Sequence, residues 1–269
     1  MEVDRRALFK SLGGAAAVAL MTPEQKADAL EHYMEEQLNA AADEPEYPTV
    51  ADLAARNEDL NRPHRRGAGF LFAQRNGKLR KLEPMPEKPS LEDFFALRFA
   101  PASHVLQSAN RALSTGMPEE VILGCLLHDV VLNLIRPDHG WWGAQLVEPY
   151  VPEKTTFAIR YHQCLRFFPD EEYGYEYPES YFRTFGEDYV PEPYLQKTHD
   201  WVKNHEWYEY PRLVTVNDLY SFDRNAKVSI EPFREIIARH FKTPEEGLGW
   251  DNSPSTHMWR TLIWPDRSL

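Results

Sequence analysis

A histidine and an aspartate stand side by side, His128-Asp129, in the middle of an otherwise apolar stretch from Glu119 to Ile135. Val121, Ile122, Leu126, Leu127, Val130 and Leu134 leave it almost no polar face, so a helix here belongs at the centre of a bundle. Gly116 closes the preceding helix, and Pro118 suits the opening turn of this one. A carboxylate buried in such a place costs several kcal/mol unless it is paired or bound to a cation, and a buried imidazole also loses hydrogen bonds. Two arrangements answer that need: a hydrogen-bonded His–Asp pair, or a metal centre. Successive helical residues diverge by ~100°, so the pair can flank two ions, with the aspartate bridging and the histidine on one of them.

The apolar spacing elsewhere predicts more helices. Leu91 to Phe99 and Val105 to Leu113 recur at three-to-four spacing around a Pro101 turn. Further helices are expected over Asp138 to Val147 before Pro149, Glu153 to Phe168, Pro193 to Asn204, Tyr208 to Asp223 and Ile230 to His240. Residues 22–42 read as a polar helix, 60–90 as a long connection, and the acidic, aromatic 169–192 as a loop with a short helix. No run alternates with period two, so the expected fold class is all-α, without a sheet. The boundaries expected are 1–29 for an export signal, 30–89 for an N-terminal helical extension and linker, 90–245 for the main domain and 246–269 for a tail.

The other candidate ligands fall on the predicted helices around the central one. His104 lies upstream in Ser-His104-Val-Leu-Gln107; His139 opens His139-Gly-Trp-Trp-Gly; His162 follows Ile-Arg160-Tyr161; and Asp218 lies in Asn217-Asp218-Leu-Tyr220-Ser221. Four imidazoles and two carboxylates make a nitrogen-rich donor set suited to Fe, Mn or Zn and too rich in nitrogen for Mg or Ca. One histidine on an apolar face is usually a satisfied core residue. Six such residues are harder to explain that way.

Their order, His, His-Asp, His, His, Asp, resembles the ligand sequence of the dinuclear HD superfamily over roughly Phe94 to Ala226. Ile159-Arg160-Tyr161-His162 and Asp218-Leu219-Tyr220-Ser221 resemble inositol oxygenase, whereas His104-Val-Leu-Gln-Ser-Ala and His139-Gly-Trp-Trp-Gly-Ala-Gln-Leu are similar to the related phosphonate-cleaving oxygenases. The resemblance implies an HD-domain helical bundle. It also implies two iron ions, Fe(II)/Fe(III), or Mn or Zn in their place, held by His104, His128, Asp129, His139, His162 and Asp218, with Asp129 catalytically central. Asp223 resembles the last-aspartate motif of the phosphonate branch, but the flanking residues favour Asp218.

The departures bear on the substrate. Val131 and Leu132 stand where the family has a Gly and a substrate-contacting Lys, and Arg166 stands where the phosphonate branch has a Lys. Arg keeps the charge and offers a planar fork to carboxylate or phosphonate oxygens. Arg166, catalytic and substrate-binding, and Arg160, substrate-binding, are therefore the expected contacts to a small hydroxylated or anionic substrate. Arg166 can equally serve only the helix dipole and local acids. Dioxygen is the expected second partner. A metal-dependent phosphohydrolase uses the same ligand order, and an inactive HD-like binding module is a third reading. Retention of all six buried polar residues argues against the third.

The formal charge of −12 disfavours nucleic acid. Cys125 and Cys164 form no disulfide framework and read as small buried hydrophobes. Arg5-Arg6 precedes a mildly apolar run, Ser11 to Leu20, too short to span a bilayer. It is similar to a bacterial twin-arginine signal with Ala27-Asp28-Ala29 as a cleavage site, so export to the periplasm is expected. The alternative is a cytoplasmic helix, and neither reading inserts the protein stably in a membrane.

Overall fold

The computed structural model describes residues 26, 27, 29–31, 33, 83–99, 102–132, 134, 135, 138–186, 188–223 and 225–264, together with the backbone of 74, 75, 78 and 79. The twin-arginine-like segment lies outside the described residues. Among them the fold is all-α, consistent with an HD-domain bundle. No strand exceeds two residues: β1 (Gln74–Arg75) pairs antiparallel with β2 (Lys78–Leu79). No helix among the described residues is long and apolar enough to cross a membrane.

Packing groups the chain into two compact units. In the smaller, α1 (Leu91–Leu97) starts in a capping box, Ser90 and Asp93 each satisfying the other's backbone N–H. Its Phe94 ring meets Trp259 edge-on at 4.7 Å, and the Arg98 guanidinium donates to the carbonyls of Leu262 and Ile263. Where described, 246–264 is thus not an irregular tail: it contains a helix, Thr256–Ile263, and packs with 83–99.

The larger unit contains the helical residues between 26 and 33 and the bundle from 103 to 241. Its helices are α2 (Ser103–Ser114), α3 (Glu119–Leu127), α4 (His139–Val147), α5 (Glu153–Leu165), α6 (Glu179–Phe185), α7 (Pro193–Lys203), α8 (Glu209–Asp218) and α9 (Arg234–His240). The helix Thr256–Ile263 completes the series as α10. α5 packs against α8, α4 and α3, while α2 and α8 both pack on α3. The segment expected as a polar helix over 22–42 has, where described, a buried side: Ala27, Leu30 and Tyr33 join a core with Phe157, Leu165 and Tyr181.

The central helix is shorter than its apolar run predicts. α3 ends at Leu127, and the chain continues through turns in which Leu132 N–H donates to Asp129 C=O and Leu134 N–H to Val131 C=O. The β-branched Val130 and Val131 favour helix weakly, and the apolar pattern here records burial rather than helicity. His128 and Asp129 therefore sit at the helix end, not mid-helix. α8 likewise stops at Asp218, five residues short of the expected end.

An acid-sensitive clip joins the start of α3 to the end of α9. Glu119 accepts from the Arg239 guanidinium at 2.6 and 3.0 Å, and its Oε2 lies 2.7 Å from His240 Nε2. These bonds, Arg239's first, hold the Glu119 carboxyl at about 2, below its ordinary 4.5. A depressed acid stabilises the fold above 4.5 and loses that contribution as pH falls from 4.5 through about 2. The clip is well exposed, so the effect is small. Glu119→Gln should lower stability slightly at pH 7–8, flatten the stability-versus-pH curve in that window and converge on wild type at its acid end; equal slopes for the two proteins in acid titrations of melting temperature would refute the clip.

Candidate metal centre

The six candidate ligands converge. His104, His128, Asp129 and Asp218 form one buried group, Asp129, His139 and His162 a second, and within each group the donor atoms lie within 4.8 Å of one another. Asp129 belongs to both. Its Oδ2 faces the first group, 3.5 Å from His128 Nε2 and 3.7 Å from His104 Nε2. Its Oδ1 faces the second, 2.9 Å from His139 Nε2 and 3.9 Å from His162 Nε2. Asp218 Oδ1 completes the first group at 2.8 Å from His104 Nε2 and 3.4 Å from His128 Nε2.

Each ring is oriented through its other nitrogen. Nδ1 of His104, His128 and His162 lies 3.1, 2.8 and 2.6 Å from the carbonyl oxygens of Ser221, Cys125 and Ile159. Because a carbonyl only accepts, Nδ1 carries a hydrogen, and Nε2 is left as the nitrogen turned toward the cluster. Gln107 fixes the segment that presents Ser221: its amide accepts from Asp223 N–H and donates to Asp223 C=O. The His104 ring also stacks on Phe222 at 4.2 Å. Thr215 holds the end of α5 by donating to His162 C=O at 2.8 Å.

The donor set fits a metal on its own geometry. Nε2 of His128 and of His162 are buried without a hydrogen-bond partner, and Asp129 Oδ1 has no well-aligned donor although His139 Nε2 is 2.9 Å away. Without a cation, the electrostatics pull the rings apart. Burial opposes charging His128, but Asp129 and Asp218 outweigh it and raise the imidazole to about 9. Burial, reinforced by His128 and His139, lowers His162 to about 3. Burial also opposes ionisation of Asp129 and Asp218, yet the surrounding imidazoles hold both below the usual carboxylate range. A cation would take over the compensation that protons supply here.

The remaining sequence candidates fall in different places. Asp223 is exposed, with its carboxylate accepting from Asn225 N–H, so Asp218 and not Asp223 completes the cluster. Arg166 caps α5 and is buried, but its Nη1 lies 2.9 Å from Glu31 Oε2. Arg160 lies two residues before His162, about 200° around the helix, and its guanidinium reaches Glu148 at 3.4 Å in a partly exposed pair rather than turning to the cluster. Cys125 and Cys164 are buried outside both groups, and burial pushes the Cys125 thiol up to about 12.

Two neighbours have no sequence signal of their own. Glu31, from the N-terminal segment, feels the charges of Asp218, Asp129 and His139 while pairing with Arg166 and accepting from the Tyr181 hydroxyl. Gln163 follows His162 and bonds both Gly140 N–H and His139. α4 and α5 approach closely here: a Cβ on Gly140 would stand 2.8 Å from Ile159 C=O, the acceptor that orients His162.

No known family profile matches the chain. A stretch of 82 residues is 33% identical to a glycine-betaine-forming (1-hydroxy-2-(trimethylamino)ethyl)phosphonate dioxygenase of Leisingera caerulea, covering 26% of this chain and 42% of that protein. The chain thus matches less than half the length of that relative. With a buried His/Asp cluster able to hold metal, this similarity supports a metalloenzyme.

Proposed function

We propose that the protein is an HD-type di-iron oxygenase that oxidises or cleaves a small hydroxylated or anionic substrate with dioxygen. The observation that carries the reading is the pair of donor groups sharing Asp129, one carboxylate oxygen turned to each. His104, His128, Asp129 and Asp218 would hold one ion, and Asp129, His139 and His162 the other. Iron so bound supplies the redox chemistry and the activation of dioxygen.

The residues of the chain supply orientation, charge and exclusion of water. The carbonyls of Ser221, Cys125 and Ile159 fix three rings before any ion arrives. The burial of all six donors keeps bulk water away. The Glu31–Arg166 pair places both signs of charge within electrostatic reach of the ligands. In this reading Arg166 binds the anionic end of a substrate, a proposal supported by the phosphonate named for the similar enzyme. No such role is proposed for Arg160.

A phosphohydrolase would use the same donors, and the dioxygenase similarity favours the oxygenase. Iron-loaded protein, partly reduced under anaerobic conditions, should give the paramagnetic resonance signal of a mixed-valent pair. A diamagnetic, oxygen-independent enzyme that hydrolyses phosphate esters would overturn the assignment. Export by the twin-arginine route remains part of the proposal. Since Ala27 and Ala29 are buried, cleavage at that point would remove core contacts, and intact-mass measurement of the native protein tests it.

A further inference from the structure

We propose that Gln163 makes the two halves of the centre unequal. Its amide holds His139 in the tautomer that cannot ligate through Nε2, so the Asp129/His139/His162 half takes its ion second and more weakly. The inference rests on the cluster being a two-metal centre and is independent of oxygenase chemistry.

His139 differs from the other three rings in what its Nδ1 meets. Theirs face backbone carbonyls; His139 Nδ1 lies 3.1 Å from the Gln163 amide nitrogen. The orientation of that amide follows from its other end. Gln163 Oε1 accepts from Gly140 N–H at 2.7 Å. That N–H belongs to the first turn of α4, where helix donors have no partner within the helix. Asp138, which precedes the helix, has a φ of 55° and no side-chain capping bond, so Gln163 takes the capping role from the neighbouring helix. A flipped amide would set NH2 against N–H, donor against donor.

With the oxygen fixed, the amide NH2 donates to His139 Nδ1. Nδ1 must then accept, which puts the ring hydrogen on Nε2, 2.9 Å from Asp129 Oδ1. This arrangement turns a ring hydrogen toward the buried carboxylate when no ion is bound, although the two are not well aligned. It also obstructs ligation, because a metal needs the Nε2 lone pair. Loading this half requires the hydrogen to move to Nδ1, with the protonation of the ring unchanged, and the Gln163 amide to give up its bond. In the first half no ring is held with Nδ1 as an acceptor, so only a proton has to leave, as from His104 Nε2 beside Asp218 Oδ1 at 2.8 Å, and that half offers four donors against three.

Gln163 is thus a positioning residue whose conservative variant has a signed effect. In Gln163→Glu, one carboxylate can accept from both Gly140 N–H and His139 Nδ1–H, the carboxylate–histidine–metal arrangement that favours ligation. Partners of this kind change metal affinity ~10–100-fold.

The test is anaerobic calorimetric titration of the metal-free full chain with Fe(II), and separately with Zn(II), alongside nitrogen-15 NMR of the histidine rings. Wild type should show a tight first equivalent and a weaker second, with His139 alone of the four rings lacking a hydrogen at Nδ1 before metal is added. Gln163→Glu should tighten the second equivalent ~10–100-fold and leave the first unchanged. Two equal equivalents in wild type, an unchanged second step in a folded Gln163→Glu, or a His139 ring protonated at Nδ1 would each overturn the inference. The ring tautomer is read in wild type, so this arm holds even if the variant fails to fold. Binding of no metal would overturn the two-metal reading itself.

Discussion

Asp129→Ala should reduce bound metal from about two ions per chain to fewer than one and lower turnover by more than ~100-fold, beyond what loss of a mere supporting partner costs. The reason is that one carboxylate serves both groups: Oδ2 lies 3.5 Å from His128 Nε2 and Oδ1 2.9 Å from His139 Nε2. The metal-free fold should suffer less than the metal-bound one. Asp129 helps keep His128 charged, and without it the imidazole can shed its proton instead of remaining a buried, unopposed cation. The clearest readout is therefore the rise in melting temperature on adding metal. Loss of ~100-fold in affinity removes about 2.7 kcal/mol of metal-linked stability. Asp129→Asn, which keeps the shape and removes the charge, should behave similarly. An Asp129→Ala protein that still holds two ions and turns over would mean that the bridging geometry is incidental.

The candidate ligand cluster was legible in the sequence because burial makes polar residues conspicuous. His128 and Asp129 interrupt an apolar run, and His104, His139, His162 and Asp218 each sit among residues that belong in a core. The lengths of the helices were less legible. Val130 to Leu132 and Leu219 to Phe222 read as helix from their apolar character, yet they form turns that aim Asp129 and carry Ser221 to His104. Choosing between Asp218 and Asp223 needed Gln107, which pins the backbone of Asp223 while its side chain stays exposed. Gln163 was invisible for another reason: a glutamine beside a ligand has no periodicity of its own, and its importance comes from the N–H that α4 leaves uncapped. Glu31 lies in a segment read as a polar helix, and only its burial against Arg166 gives it a role.

That pair carries the second large effect. Both side chains are 3% exposed or less, and the Nη1–Oε2 distance is 2.9 Å. Burial raises the Glu31 carboxyl to about 7, against the pull of Arg166 and with a further push from Asp218 and Asp129. Removing one member of a buried pair costs ~3–5 kcal/mol, because the other charge stays desolvated. The two single variants should differ in their pH dependence. In Arg166→Ala, Glu31 can take up a proton, and with its folded pKa further above the ordinary 4.5 the destabilisation should be mild near pH 5 and grow as pH rises. In Glu31→Gln, Arg166 stays charged throughout and the raised acid that weakens the wild type as pH climbs from 4.5 through about 7 is gone, so the cost should shrink over the same range. Glu31→Gln/Arg166→Met should be less destabilised than the sum of the singles, the coupling expected of a contacting pair. Substrate binding separates structure from recognition: if Arg166 anchors an anion, Arg166→Ala should also lose ~2–4 kcal/mol of substrate or transition-state binding with metal content intact. Glu31→Gln retains the guanidinium and removes its competitor, so its affinity for an anionic substrate should hold or improve. Weakened anion binding in both variants alike would reduce the pair to a structural tie, and wild-type melting in both would remove even that.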